Sequence, residues 1–264
     1  MSSLTEKRQQ KIMEYLEKHR IVKTAELSNW LNVSEVTIRR DVKELEQNNQ
    51  IERFHGGIRL IEDLSDKEML FEEKGSRFNE EKKQIAKEAV NFVQDGDTIF
   101  INSGSTALSV IKAINDSGKI VRIVTNNALA PTVVDNYSVE LLMTGGEYRI
   151  KSKSFVGNNT MQMISNIVAN KCILGVNGIS AEAGISTSVY QEAGVNELMI
   201  KSCSGQVIVI ADSSKIGTFY NFKTADIDQV DVLITDSKAD HSKLVSIRDK
   251  GIEVVISEKE EITV

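Results

Sequence analysis

From residue 95 onwards, short runs rich in Ile and Val alternate with stretches that have the composition of helices. The runs, in chain order, are TIFI, IVRIV, VELLM, KCILG, QVIVIA, VDVLITD and EVVIS. Apolar strands separated by helices are typical of a parallel sheet that helices cover on both faces. The alternation therefore predicts a parallel α/β fold for the C-terminal part of the chain.

The composition excludes several classes of protein. Of the 264 residues, 41% are hydrophobic and 27% charged, and no apolar run approaches the roughly 20 residues of a membrane helix. The polar N-terminus lacks the apolar segment of a signal peptide. We therefore expect a cytoplasmic protein without membrane contact, in which Cys172 and Cys203 are reduced. The histidines, at positions 19, 55 and 241, are too scattered for a metal site, and we expect no cofactor.

Residues 1–61 predict a different arrangement, three helices followed by a hairpin. Residues 3–19 have the pattern of the first helix, Thr24 is the predicted N-cap of the second and Ser34 that of the third. Apolar residues on the third helix recur at i, i+4 and i+7, and predict the face that packs on the other two helices: Ile38, Val42 and Leu45.

That packing leaves polar and basic side chains on the other faces of the third helix, near its start. A helix that enters the major groove by its first turns presents such residues to bases and phosphates. The candidates for DNA contact on this helix are Ser34, Thr37, Arg39, Arg40 and Lys43. The alternative is a solvated helix end in which the arginines pair with carboxylates.

The segment QIERFHGGIRL holds two short strand-like runs around paired glycines, which suit a hairpin turn. A hairpin directly after such a helix predicts the wing of a winged helix. Arg53, His55 and Arg59 are then candidates for backbone or minor-groove contacts, although His55 is equally well explained as a turn residue. Residues 1–60 carry 11 Lys and Arg against nine Asp and Glu, whereas the remainder carries 21 against 29. A slightly basic head on an acidic body agrees with a head that contacts a polyanion.

Five of the predicted strands end in small hydroxyl, amide and glycine residues. These loops are 102–106, 125–127, 144–146, 176–179 and 212–215. Parallel strands place such loops at one edge of the sheet, where ligands bind. The SGST stretch leads into a helix, whose backbone N–H groups and dipole attract phosphate. Each loop alone is explained by ordinary turn chemistry, but five on one edge favour a site for a phosphate or a polyol.

Motifs in both parts of the chain follow one another in a distinctive order. In the head these are Arg8, Ile12 and Leu16, then Ser34 and TIRRDV at 37–42, then HGG; in the body they are EEKKQIAKEA, GDTIFINSGST, VTNN, LGVNGI, EAGVNELMI and ADSSKIG. In these motifs and their order, the chain resembles the DeoR-type family of bacterial sugar-metabolism regulators. The resemblance implies a winged helix-turn-helix DNA-binding domain at 1–61, a linker at 62–80 and a sugar-phosphate sensor domain at 81–264. It also implies a sensor fold related to ribose-5-phosphate isomerase, glucosamine-phosphate deaminase and CoA-transferases.

The resemblance further implies a repressor that a phosphorylated sugar or polyol releases from operator DNA, acting as a homo-oligomer, a dimer or tetramer. The implied phosphate site comprises Ser103, Gly104, Ser105 and Thr106. The residues implied around the sugar are Thr125, Asn126, Asn177, Gly178, Glu192 and Lys215. In the head, we expect Asp41 to orient either Arg8 or Arg40.

The rival interpretation is a sugar-phosphate isomerase or deaminase that carries a DNA-binding head. Enolisation needs a general base, and the candidates are Asp97, Glu182, Glu192 and Asp212. The related deaminases carry Asp-Gly-His where this chain has Asn177-Gly178-Ile179, and no histidine lies between residues 56 and 240. Because an amide does not accept a proton at neutral pH, we expect a receptor and not an enzyme.

Overall fold

The computed structural model describes residues 4–19, 21–47, 51–54, 57–60 and 70–257, and the chain divides into two compact units, residues 1–67 and 68–264. The described elements of the first unit are α1 (Leu4–His19), β1 (Ile21–Val22), α2 (Thr24–Leu31), α3 (Glu35–Gln47), β2 (Ile51–Phe54) and β3 (Gly57–Leu60). Strand β3 lies between β1 and β2 and is antiparallel to both. Three helices with a hairpin after the third form a winged helix-turn-helix, as predicted.

Apolar side chains from all three helices and the small sheet form the core of the first unit. Its buried members are Ile12, Leu16, Val22, Leu27, Ile38, Val42, Leu45, Ile51 and Ile58. The predicted packing face of the third helix is therefore confirmed. The predicted N-cap at Thr24 is wrong by one residue, because the extended Lys23 precedes the helix and Thr24 is its first member.

The second unit alternates strands and helices. Its described elements are α4 (Phe71–Ser76), α5 (Asn79–Val90), β4 (Thr98–Ile101), α6 (Ser105–Ser117), β5 (Val121–Thr125), β6 (Val139–Met143), β7 (Glu147–Arg149), β8 (Ser154–Val156), α7 (Asn158–Ser165), β9 (Ala169–Gly175), β10 (Gly178–Ser180), β11 (Gly184–Thr187), α8 (Tyr190–Lys201), β12 (Cys203–Ile210), β13 (Phe222–Ala225), β14 (Val232–Asp236), α9 (His241–Arg248) and β15 (Glu253–Ser257). None of the helices in the described ranges has the length and apolar character that crossing a bilayer requires.

Seven of these strands form one parallel sheet in the order β15-β14-β12-β9-β4-β5-β6. Successive side chains on a strand point to opposite faces, and both faces of this sheet are buried. Ile99 and Ile101 of β4 belong to the core that α5 and α6 cover. Phe100, between them, belongs to the core that α7, α8 and α9 cover. The predicted parallel α/β sheet is therefore confirmed.

Three details differ from the sequence pattern. After β5 the expected helix is only a 3₁₀ turn, Ala130–Thr132, because Pro131 has no backbone N–H with which to extend a helical ladder. The antiparallel pair β7–β8 and the antiparallel sheet β10-β11-β13 were not expected. Gly75 and Ser76, in the predicted linker, are the last two residues of α4.

Candidate functional site

The face of α3 opposite the core carries three exposed basic residues: Arg39, Arg40 and Lys43. Each arginine lies beside a carboxylate one turn away. Arg39 Nη2 is 3.2 Å from an oxygen of Glu35, and Arg40 Nε is 3.7 Å from an oxygen of Glu44. Solvent-exposed pairs at this spacing contribute only about 0.3–0.5 kcal/mol. The pairs therefore hold the guanidinium groups weakly, and a stronger anion can displace the glutamates.

The first turn of α3 is fixed by two hydroxyl-bearing residues. Ser34 Oγ accepts a hydrogen bond from the Thr37 N–H at 3.2 Å and lies 2.9 Å from Thr37 Oγ1. This is the N-cap that the sequence predicts. The two residues set where the helix begins and hence where its basic side chains project.

Asp41 anchors α3 to α1. Its carboxylate is 1% exposed and accepts from Arg8 Nε at 2.5 Å and from Arg8 Nη2 at 2.9 Å. This bidentate hydrogen bonding to Asp41 raises the pKa of Arg8. Of the two partners left open by the sequence, Arg8 is therefore the correct one, and Arg40 remains at the surface.

The wing lies at strands β2 and β3, which pair in the register Phe54 with Gly57. Arg53 is on β2 and Arg59 is on β3. The side chains of both arginines, and the whole of His55, lie outside what the structure describes.

The parallel sheet has its topological switch point between β4 and β9. From β4 the sheet continues through β5 and β6 on one side, and from β9 through β12, β14 and β15 on the other. Ligands of open parallel sheets bind outside the carboxyl ends of the strands at this point. Asn102, just after β4, bridges the two strands: its Nδ2 donates to the Gly175 carbonyl and its Oδ1 accepts the Gly175 N–H, both at 2.8 Å. Asn102 Nδ2 also donates to Asn196 of α8 at 3.0 Å.

Helix α6 begins at the switch point with an uncompensated N-terminus. Its N-cap is Gly104, whose φ of +128° disfavours any residue with a Cβ. No side chain caps the helix and no acidic residue lies in its first turn. The N–H groups of that turn, Ser105, Thr106 and Ala107, have no acceptor among the described residues. The three backbone N–H donors and the positive end of this 13-residue helix therefore point towards the space beside Gly104 and Ser105, both of which are partly exposed.

The loop after β5 supports this cradle from one side. Asn127 Nδ2 donates to the Gly104 carbonyl at 3.2 Å, and Thr125 Oγ1 accepts the Asn127 N–H at 3.0 Å. Asn126 Nδ2 donates to the Phe155 carbonyl at 2.9 Å, whereas its buried Oδ1 has no partner among the described residues. Asn127 therefore hydrogen-bonds the cradle directly, and Thr125 holds Asn127 in place. Two adjacent asparagines cannot be distinguished from the sequence alone.

The β7–β8 hairpin continues the hydrogen-bonded network to α8. Asn127 and Ser154 form an isolated β-bridge, and Ser154 Oγ donates to Glu192 Oε1 at 3.4 Å. Arg149 Nε lies 3.8 Å from the same carboxylate oxygen. Glu192 is only 9% exposed. Arg149 is the basic residue that sequence reasoning missed, because it lies on a hairpin that the strand pattern did not predict.

Asn177 and Gly178 follow β9. The Asn177 side chain makes polar contacts, whereas Gly178 permits a close backbone approach. Asn177 Nδ2 is 3.4 Å from Ser188 Oγ, and Asn177 Oδ1 is 3.5 Å from Thr187 Oγ1. A Cβ placed on Gly178 would lie 2.5 Å from the Thr218 carbonyl oxygen. Gly178 is therefore required by the close approach of two backbones.

Lys215, after β12, lies in a strongly charged region. Lys82 of α5 is 4% exposed, and its ammonium donates to the carbonyls of Lys74 and, at 2.6 Å, of Arg77. Burial lowers the pKa of Lys82; the nearby Asp212 carboxylate raises it, and the nearby Lys215 ammonium lowers it. Asp212 accepts from the Ser214 N–H at 3.1 Å, so it fixes the turn that carries Lys215.

This arrangement suits binding of an anion with hydroxyl groups attached. The network joins the α6 cradle, Asn127, Ser154 and Glu192, and it offers amide, hydroxyl and carboxylate partners. Within the described ranges, no three His, Cys, Asp or Glu side chains converge as metal ligands.

Comparison with known proteins identifies both units. The profile of the DeoR-like helix-turn-helix domain matches residues 8–63, and that of the DeoR C-terminal sensor domain matches residues 77–237. The chain belongs to the DeoR family. The DeoR-type sequence resemblance is thereby confirmed.

Relatives in the DeoR family match over most of their length. The regulator GolR of Listeria innocua is 30% identical, over 95% of this chain and 98% of its own. The lactose phosphotransferase system repressor of Staphylococcus epidermidis is 34% identical, over 86% and 90%. The repressor GlcR of Bacillus subtilis is 28% identical, over 95% of both chains. The protein is accordingly a DNA-binding transcriptional regulator and not an enzyme.

Two solved structures are similar to part of this DeoR-family chain. Ribose 5-phosphate isomerase A from Neisseria gonorrhoeae covers 53% of this chain and 52% of its own, at 19% identity and a TM-score of 0.38. The delta subunit of eIF2B from Chaetomium thermophilum covers 55% and 50%, at 16% identity and a TM-score of 0.39.

Proposed function

We propose that the protein represses a sugar or polyol utilisation operon and that a phosphorylated sugar or polyol releases it from its operator. The observation that carries this proposal is the uncompensated N-terminus of α6 at the topological switch point. The names of two relatives, a lactose phosphotransferase system repressor and the repressor GlcR, support the repressor role. Because the proposed target is operator DNA, we place the protein in the cytoplasm.

On the DNA side, the first turns of α3 enter the major groove. Arg39, Arg40 and Lys43 contact bases or phosphates, and Ser34 and Thr37 contact the backbone beside them. Arg53 of β2 and His55 supply further backbone contacts. The exposure of the three basic residues on one face of α3 supports this assignment.

On the effector side, the phosphate occupies the cradle formed by Ser103, Gly104, Ser105 and Thr106. The remaining contacts to the sugar come from Thr125, Asn126, Asn177, Gly178, Glu192 and Lys215. The buried Oδ1 of Asn126 has no partner in the described part of the chain, and this supports a hydroxyl donor nearby, because an unsatisfied buried acceptor costs about 1–3 kcal/mol.

Release from DNA requires coupling between the two sites and two heads per operator. A single winged helix offers few base contacts, so we propose a homo-oligomer whose heads bind half-sites separated by whole turns of DNA. The effector then changes the arrangement of the heads, with a coupling free energy of about 1–3 kcal/mol.

A thermal-shift screen with phosphorylated sugars and polyols tests the effector site. A ligand that binds only the folded state raises the melting temperature by mass action. We expect a hit that also weakens binding to operator DNA and is not converted to product. A screen of the common sugar phosphates without any shift would contradict the proposal.

Ser105→Glu tests the position of the phosphate. A glutamate at the first position of α6 places a carboxylate at the cradle, and it also suits the helix dipole, so the protein stays folded. We expect unchanged operator binding and no effector response, with Ser105→Gln as the control that adds bulk without charge. A Ser105→Glu variant that still responds places the phosphate elsewhere.

A further inference from the structure

The exposed face of α3 contains one apolar residue. Val36 precedes Arg39, Arg40 and Lys43 at the spacing i, i+3, i+4 and i+7, so the four lie on one stripe of the helix. Val36 is 77% exposed. Val36 is the second residue of α3 and lies in the turn that Ser34 caps.

Valine satisfies no local requirement of the helix at this position. A β-branched side chain has a lower helix propensity than alanine or a straight-chain residue. The positive end of the helix dipole favours an acidic side chain in the first turn. The exposed methyl groups do not belong to the core of the unit. A residue that conflicts with its local environment in this way is expected where function determines the choice.

We propose that Val36 recognises thymine in the operator, through contact of its methyl groups with the C5 methyl of the base. Thymine is the standard base that presents a methyl group in the major groove. The first turn of a recognition helix is the part that contacts base edges. The inference rests on the proposed docking of α3 in the major groove, and it assigns Val36 sequence discrimination and the basic residues most of the affinity.

Replacing thymine by deoxyuridine tests the contact, because only the methyl group is removed. Duplexes selected by the full-length protein from a random library supply the operator probe. Each thymine is then replaced singly, and binding is measured by fluorescence anisotropy. At one position in each half-site we expect replacement to weaken wild-type binding about fourfold, the effect of one buried methyl group. The same replacement should leave the affinity of Val36→Ala unchanged.

Two further variants separate the possible failures. Val245→Ala shortens an exposed valine of α9, which is 38% exposed, and should retain the full thymine effect. Arg40→Ala tests whether α3 docks at all. If deoxyuridine has no effect on the wild type, or an equal effect on Val36→Ala, while Arg40→Ala still weakens binding, the assignment of Val36 is wrong. If Arg39→Ala and Arg40→Ala both bind the operator normally, the docking of α3 itself is wrong.

Discussion

Arg39 and Arg40 are held at the protein surface by interactions weaker than those that DNA offers. In the proposed complex, each exchanges a neighbouring glutamate, at about 0.3–0.5 kcal/mol, for a base or phosphate contact. A bidentate contact to guanine contributes about 1–3 kcal/mol. We therefore expect Arg39→Ala and Arg40→Ala each to weaken operator binding by about 1–3 kcal/mol, as measured by anisotropy at fixed salt concentration.

Arg122→Ala is the matched control for these two variants. Arg122 also forms an exposed ion pair, with Glu140 at 2.7 Å, but it lies in the sensor unit. Its removal should not change operator affinity. Wild-type affinity in Arg39→Ala and Arg40→Ala would show that this face of α3 does not contact DNA.

Asp41 shows how a charged residue within α3 can serve the fold. Its carboxylate is buried, while the Arg8 side chain is 22% exposed and can be rehydrated. Asp41→Ala should lower the free energy of unfolding of the head by about 2–3 kcal/mol, through loss of two charge-assisted hydrogen bonds. Hydrogen exchange of the α1 and α3 amides in the full chain measures this change.

A double-mutant cycle separates the Asp41–Arg8 pair from other effects of the substitutions. With Arg8→Ala already present, Asp41→Ala should cost clearly less than in the wild type. Equal costs in both backgrounds would show that Asp41 stabilises the head without Arg8.

At the scale of elements, the sequence predicts the strands of the regular strand–helix alternation and misses the shortest strands. The Ile- and Val-rich runs predicted the seven strands of the parallel sheet, because apolar side chains on both faces of the sheet are buried. Strands β7 and β10 have three residues each, too few to show a period. Candidate site residues such as Asn177 could be proposed from their positions after strands. The loop that holds Asn127 could be proposed in the same way, whereas Arg149 could not, because it lies on a hairpin that the strand pattern did not predict.

Strand β10 positions the turn that carries Lys215. Ile179 of β10 bridges Ile216, and its carbonyl accepts the Gly217 N–H at 2.7 Å. Gly178→Ala would force a Cβ against the Thr218 carbonyl. We expect a loss of about 1–3 kcal/mol in the free energy of unfolding, together with a weaker effector response, measured by urea denaturation and thermal shift.

Gly194→Ala is the control for this substitution. Gly194 lies within α8, and a Cβ there would meet nothing within 4 Å. Alanine in a helix interior is favoured over glycine by about 0.5–1 kcal/mol, so stability should rise. A stable Gly178→Ala variant with a normal response would separate β10 from the effector site.

At the scale of the whole molecule, a chain with a DNA-binding unit and a sensor unit is a regulator only if the two sites are energetically coupled. Such coupling is reciprocal: an effector that lowers operator affinity by a given factor must itself bind the operator complex more weakly by that factor. A coupling of about 1–3 kcal/mol corresponds to a change of about 5–150-fold. We expect isothermal titration of the effector, without and with saturating operator duplex, to give the ratio measured independently from operator binding.

Variants at each site make this test specific. Arg40→Ala should bind the effector with wild-type affinity, and adding operator DNA at a concentration that leaves this variant unbound should not change that affinity. Ser105→Glu should bind the operator without responding to the effector. If the two ratios in the wild type are equal, the sites are linked through the protein. If the effector binds equally well with and without saturating operator, it does not release the protein from DNA, and the α6 cradle has a role other than induction.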